Sequence, residues 1–229
     1  TLDAEDREYL DIQFHELVFP VVTPLAVDPA HPFPYISNLS LNLAITVRNP
    51  DTDLTKFARI KIPPLLPRFL VLPDGERFVP LEQLIAAHID TLFPGMEVLR
   101  HHAFRVTRNA DFEIEEDEGG DLLMAIESEL TQRRFGHIVR LEVQPDMPAE
   151  ILDLLKREMG AADEDVYEVE GPLDLSGLWS LYDLDRPELK FEPFTGVVPS
   201  RLSAPLGESV DFFEVVRQGD LLVHHPYDS

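Results

Sequence analysis

The stretch LSLNLAITV (residues 39–47) decides the fold. Its apolar residues Leu39, Leu41, Leu43, Ile45 and Val47 alternate with Ser40, Asn42, Ala44 and Thr46. Successive side chains of a strand point to opposite faces, so this period of two predicts a half-buried strand. Toward the C-terminus, Ala58, Ile60 and Ile62 alternate with Arg59 and Lys61, a second strand. Residues 69–72 then run into Pro73-Asp74-Gly75 and out through residues 77–79, which predicts a hairpin and antiparallel pairing over the first half. Toward the N-terminus lies VTPLAVDPAHPFPYISN (22–38), rich in proline. Proline donates no ladder hydrogen bond and biases its predecessor to extended backbone, so this is an ordered extended loop or a linker. Before it, Leu10, Phe14 and Leu17 recur at helical spacing over residues 3–17, and Pro20 and Pro24 stop that helix.

Leu81, Leu84, Ile85, Ile89 and Leu92 form the apolar stripe of a further helix, closed by Pro94-Gly95. Residues 103–169 read as strand, helix, strand, helix, strand. Phe104 and Val106 lie on a strand, Asn109-Ala110-Asp111 make a turn, and Phe112 and Ile114 continue the alternation. Leu122, Ile126 and Leu130 mark a helix with Arg133 and Arg134 at its negative end and Gly136 as its C-cap. Residues 138–143 form a strand, Asp146 and Pro148 open a helix that Gly160 stops, and residues 166–169 return as a strand. Beyond Gly171 the pattern weakens to a short helix over 175–182, a proline-containing stretch over 187–205, and a final helix and strand over 210–223. The fold class is α+β, or mixed α/β: antiparallel-containing sheets with helices packed on them, and no Rossmann or P-loop fold. The closing HHPYDS has no cap or polar tail, so the sequence reads as cut at both ends.

With 229 residues, 44% of them hydrophobic, the chain can bury one substantial core. It has no cysteine, which removes disulfides, thiolate metal sites and thiol nucleophiles and fits a cytoplasmic setting. No apolar run is long enough to span a bilayer, and the acidic start does not read as a signal peptide. The 43 acidic and 19 basic residues give a net charge of −24, a field that repels nucleic acid, anionic membranes and phosphate polymers. Such partners require a local basic patch or another part of a larger protein. The window between Arg48 and Pro80 escapes the acidic background through Lys56, Arg59, Lys61, Arg68 and Arg77. These residues are a possible contact patch, either a polyanion guide or half of a subunit contact, set against ordinary surface charge.

No phosphate-cradling or dinucleotide motif can be written on the 11 glycines, and no nucleophile elbow or zincin pattern is present. The pairs His101-His102 and His224-His225 could accept a phosphoryl group or ligate metal, but neighbouring strand residues face apart, which favours structural or exposed histidines. His88, on an apolar helical stripe, reads as a core imidazole hydrogen-bonded to a neighbour. Glu113, Glu115, Glu116, Asp117 and Glu118 could collect Mg2+, although a solvated strand exit explains them as well. No metal, nucleotide or catalytic residue is assigned.

The phrases FPVVTPLAVDPAHPFPYISNLSLNLA (19–44), KIPPLLPRFL (61–70), FRVTRNADFEIEEDE (104–118), ILDLLKRE (151–158), VYEVEGPLDLSGLW (166–179) and GDLLVHHPYDS (219–229) resemble bacterial polyphosphate kinase, the ATP-dependent, polyphosphate-synthesising family. The resemblance runs in order over nearly the whole chain. It implies an enzyme that moves the γ-phosphate of ATP onto polyphosphate through a phosphohistidine, with Mg2+ and ATP as cofactors. By that pattern residues 1–17 end a helical N-terminal domain, 18–205 are the middle or head domain, and 206–229 open the first of two C-terminal domains similar to the phospholipase D fold. The family's phosphoacceptor histidine, its metal-binding arginines and its nucleotide contacts belong to motifs that do not occur here. No catalytic residue is therefore carried over, no cofactor is expected on this segment, and the chain alone is expected to be inactive. The implied partners are the enzyme's own N- and C-terminal domains, polyphosphate through those domains, and a second copy, because the head domain contributes to dimerisation. The implied location is the cytoplasm or, for the parent, the periphery of the inner membrane. Two other readings compete: a stand-alone dimerisation module and a metal-dependent hydrolase using the acidic run.

Overall fold

Strands that alternate apolar and polar residues need a partner edge and a cover on the apolar face, and the chain supplies both. A computed structural model describes residues 2–27, 32–109, 136–203, 209–225 and 227–228. Two units are distinguished, Thr1–Asp183 and Leu184–Ser229.

The first unit is built on a six-stranded sheet of β1 (Leu25–Ala26), β2 (Leu41–Arg48), β3 (Thr55–Lys61), β6 (Glu97–Arg108), β7 (Ile138–Val143) and β8 (Val166–Glu168) in the order β1-β3-β2-β6-β7-β8. All neighbours are antiparallel except β7 and β8, which run parallel. The hairpin forms as the sequence predicts: β4 (Phe69–Val71) pairs with β5 (Phe78–Pro80). Its turn uses a left-handed Gly75 (φ +73°), while Asp74 Oδ1 accepts from the backbone N–H groups of Glu76 and Arg77.

β2 differs from the expectation in an informative way. Leu41, Leu43, Ile45 and Val47 enter one core with Leu10, Phe14, Val18, Leu81, Leu84 and Ile85. Ala44, on the opposite face, enters a second core with Ile36, Phe57, Phe104, Leu141 and Leu155. The strand is thus covered on both sides, and Asn42 is 0% exposed. Alternation between apolar and small or polar residues marked two covers of different chemistry, where a half-buried strand was expected. Leu39 lies outside the strand, 55% exposed at φ +56°.

The first face is covered by α1 (Ala4–Gln13), a π-helical turn over Phe14–Val18, and α2 (Leu81–Ala87). Asp3 and Asp6 close a reciprocal capping box at the start of α1. The π-turn corrects the inward set: Val18 is buried, whereas Leu17 is 49% exposed. A wider turn moves the inward position on by one residue. The helix expected over residues 81–92 breaks at His88, and Ile89–Leu92 continue as a 3-10 turn. The second face is covered by α3 (Ala149–Met159) and by Val27, Phe33 and Ile36 of the proline-rich segment. Gly160 ends α3 in the left-handed conformation (φ +68°) as the sequence predicts, and Ala161 N–H donates to Lys156 O. A 3-10 turn (Leu175–Leu178) and α4 (Trp179–Tyr182) complete the unit. The turn at 109–111, the helix over 122–130 with Arg133 and Arg134, and the acidic run Glu113–Glu118 lie outside the described residues, apart from Asn109.

In the second unit, α5 (Phe212–Gln218) is capped by Asp211, whose Oδ1 accepts from Phe213 N–H at 2.9 Å. Arg201 donates to the carbonyls of Val215, Gly219 and Asp220 at its other end. The strand expected by residue 223 does not form among the described residues; Val197 and Asp228 make an isolated bridge instead. Leu222 is 92% exposed, because an apolar run becomes a strand only where a neighbouring edge can complete its ladder.

Candidate functional site

β3 sends Ala58 and Ile60 into the first core, joined by Ile62 just beyond the strand, which turns Phe57, Arg59 and Lys61 to the opposite face. Arg59 is 6% exposed. Its Nε donates to Asn42 Oδ1 at 2.8 Å. Asn42 Nδ2 donates to Ser40 O at 2.9 Å and to Ser40 Oγ at 3.1 Å. Ser40 Oγ donates to Ser37 O at 2.6 Å, and Lys61 Nζ to Ser37 Oγ at 2.8 Å. One hydrogen-bonded chain therefore joins two cations without a carboxylate. The Nη nitrogens of Arg59 meet no protein acceptor among the described residues and are not sealed from solvent. Burial pulls the Arg59 guanidinium down to about 10, which still leaves it charged at neutral pH.

Lys61 also lines a cavity of 290 Å³ beside the turn at Asn38–Leu41, Arg68 and the segment Asp174–Gly177. Leu39 (φ +56°) and Asp174 (φ +57°), two of the three described non-glycine residues with left-handed backbone, border it. Such conformations persist only where surrounding contacts fix them. Asp174, the acid of this cavity, is committed elsewhere: it lies 3.3 Å from Arg105 and accepts from Ser176 Oγ at 2.6 Å. Arg105 also binds Glu142 at 2.9 Å. Arg68 is paired with Glu82, and its Nη2 donates to Leu173 O at 3.0 Å.

The five basic residues marked in the sequence thus have different surroundings. Arg59 and Lys61 share one face and one network. Arg68 faces Glu82, and Arg77 is held by both oxygens of Asp6 at 2.6 and 2.9 Å and by Asp74 at 2.5 Å. Lys56 stands farther along β3, opposite Val47. The sequence reading missed Asn42, which it placed on an outward face; the available signal was an amide opposite the Arg59–Lys61 side of the next strand. It also missed Asp6, which lies far from Arg77 in sequence.

Neither adjacent histidine pair converges, whereas His15 and His88 approach each other, their ring centres 6.3 Å apart, with His15 Nε2 3.6 Å from Asp11 Oδ1. His101 and His102 face apart on β6, as adjacent strand residues must, and His102 alone is buried (8% exposed). His224 and His225 lie outside any strand, a correction to that part of the reading, and His224 N–H donates to Asp228 Oδ2. His88 stacks on Phe14 with ring centres 4.3 Å apart, and its Nδ1 lies 3.9 Å from Asp11. The interaction of this imidazole is aromatic stacking, not the hydrogen bond expected; 3.9 Å is too long for one. Burial lowers the pKa of His88, the nearby Asp11 opposing it. Among the described residues, no three His, Asp or Glu side chains gather to hold a metal ion, and no helix is long and apolar enough to cross a membrane.

Comparison with known proteins places these observations. A family model described as polyphosphate kinase middle domain matches residues 5–181. The whole chain is 56% identical to a polyphosphate kinase from Mycolicibacterium gilvum and 55% identical to one from Streptomyces coelicolor, covering 32% and 31% of their lengths. The crystal structure of polyphosphate kinase from Porphyromonas gingivalis superposes over the whole chain and 33% of its own, with a TM-score of 0.72 at 24% identity, which shows a shared fold. The chain spans about a third of the length of these relatives. The mixed sheet, its helical covers and a family match running through all of the first unit but its ends lead to one conclusion: this chain belongs to the polyphosphate kinase family, through that family's middle domain.

Proposed function

We propose that this chain serves as an assembly segment of an ATP-dependent polyphosphate kinase, joining two copies of the enzyme and its flanking domains. The observation that carries this is the surface of the second unit. Val215 is its only buried residue among those described, while Phe191 is 98% exposed, Leu189 74% and Phe213 71%. Large apolar side chains left this open, with one buried residue among those described, favour a surface that another protein part covers. In this reading residues 1–17 close a preceding helical domain, 18–205 form the head domain and 206–229 open the next domain. The parent enzyme transfers the γ-phosphate of ATP to polyphosphate through a phosphohistidine, using Mg2+, in the cytoplasm. The reacting groups belong to the remaining two thirds of such an enzyme. The surroundings of two histidines, His88 stacked on Phe14 and His102 buried within the sheet, support that division of labour.

Light scattering on the purified 229-residue chain, with ATP-to-polyphosphate synthesis assayed on the same sample, tests the proposal. An inactive dimer is expected. An inactive monomer would move the subunit contact elsewhere in the parent, and synthesis by the chain would overturn the division of labour. A stand-alone dimerisation module would also be inactive, but adding the missing domains would not restore synthesis.

A further inference from the structure

We propose that Arg59, Lys61 and Ser37 form a seat for a single phosphate group. Arg59 is nine-tenths buried, and its Nη nitrogens have no protein acceptor among the described residues. A largely buried cation without an anion is costly, because the charge has given up most of its water and gained no counter-charge. A neutral amide, Asn42 Oδ1, orients the guanidinium through Nε and leaves its outer nitrogens free. Lys61 lies two residues along the same strand face, so its α-carbon is about 7 Å from that of Arg59. That span suits two cationic donors bracketing one tetrahedral anion through hydrogen bonds of ~2.8 Å. Ser37 Oγ accepts from Lys61 and makes no donor bond among the described residues, which leaves its hydroxyl proton for a third contact. The turn that presents it continues into Leu39, whose left-handed backbone is held by its N–H donating to Val106 O at 2.8 Å. The described acid of the adjoining cavity does not neutralise the pair: Asp174 belongs to Arg105 and Ser176. In a chain of charge −24, two cations kept together without a carboxylate among the described residues form a local exception.

The choice of phosphate over a carboxylate rests on the family reading; the donor cluster does not. Isothermal titration of the 229-residue chain with sodium phosphate, tripolyphosphate and acetate at matched ionic strength tests both parts. Phosphate and tripolyphosphate are expected to bind and acetate not. Arg59→Met and Lys61→Met should each weaken phosphate binding by about tenfold or more, the loss of one charge-assisted hydrogen bond, while Arg217→Gln on the second unit should change nothing. Tripolyphosphate bound about tenfold tighter than phosphate assigns the seat to a phosphoanhydride chain; equal affinity assigns it to a free or terminal phosphate. No phosphate binding, equal binding of acetate, or variants that keep affinity within about twofold would overturn the proposal. Where circular dichroism shows Arg59→Met to be unfolded, Lys61→Met and Ser37→Ala carry the test. Failure of the kinase reading would appear in the synthesis assay and would leave this titration unchanged.

Discussion

Gly177→Ala tests the packing that closes the cavity wall. A β-carbon at this position would lie 2.6 Å from Arg68 Cγ and 3.3 Å from its Cδ and Nε. The near end of the Arg68 side chain is involved, and its far end is held by Glu82 and by Leu173 O, so it cannot swing aside. In open space alanine at this backbone would stabilise the chain by about 0.4–1 kcal/mol, by restricting the unfolded state. Overpacking costs about 1–3 kcal/mol, so the clash wins and the net loss is roughly 0.5–2 kcal/mol. For a chain of this size that lowers Tm by about 1–8 °C. Urea unfolding of Gly177→Ala, Arg68→Ala and the double variant measures the effect. With Arg68 truncated, Gly177→Ala should be neutral or stabilising, giving a coupling of about 1–3 kcal/mol. An equal cost of Gly177→Ala in both backgrounds would refute the contact.

The Asp6–Arg77–Asp74 cluster sets an acid limit. Backbone N–H groups and Arg77 lower Asp74 from its ordinary 3.8 to about 2, and Arg77 lowers Asp6 as well. A depressed carboxyl stabilises the fold above its unfolded value and loses that contribution as pH falls through the folded one, so the urea midpoint should drop between about pH 4 and 2 and drop less in Arg77→Gln. His88, with its pKa lowered by burial, should titrate below 6.5 by NMR. The unfolded chain then binds this proton first, so stability should decline as pH falls below 6.5, and His88→Gln should flatten that slope. Leu155→Ala, at a fully buried position of the second core, should cost about 2–5 kcal/mol in urea unfolding, against less than about 0.5 kcal/mol for Leu222→Ser.

Much of the fold was legible because local chemistry fixes it. The Pro73-Asp74-Gly75 turn, the Gly160 stop and the alternation of β2 and β3 each depend on neighbouring residues alone. What escaped depends on distant ones. Whether Asn42 faces water or Arg59 is decided by the proline-rich cover, and periodicity cannot report on a cover. The shift from Leu17 to Val18 needs one wide turn, which sequence spacing does not mark. Of the candidate residues, Arg59 and Lys61 could be placed on one face by counting, but the neutral partners that join them could not be read. Asp6, which holds Arg77, comes from a helix far up the chain.

The six-stranded sheet ends on β1, of two residues, and β8, of three. Open borders of a sheet are templates on which another chain can add a strand, and long flat ones seed fibres. These borders offer too few rungs for that, and Pro24 stands immediately before β1. A partner's contact with this sheet would rest on side chains fitting by shape, since the backbone ladder that would accept any sequence is cut short at both sides.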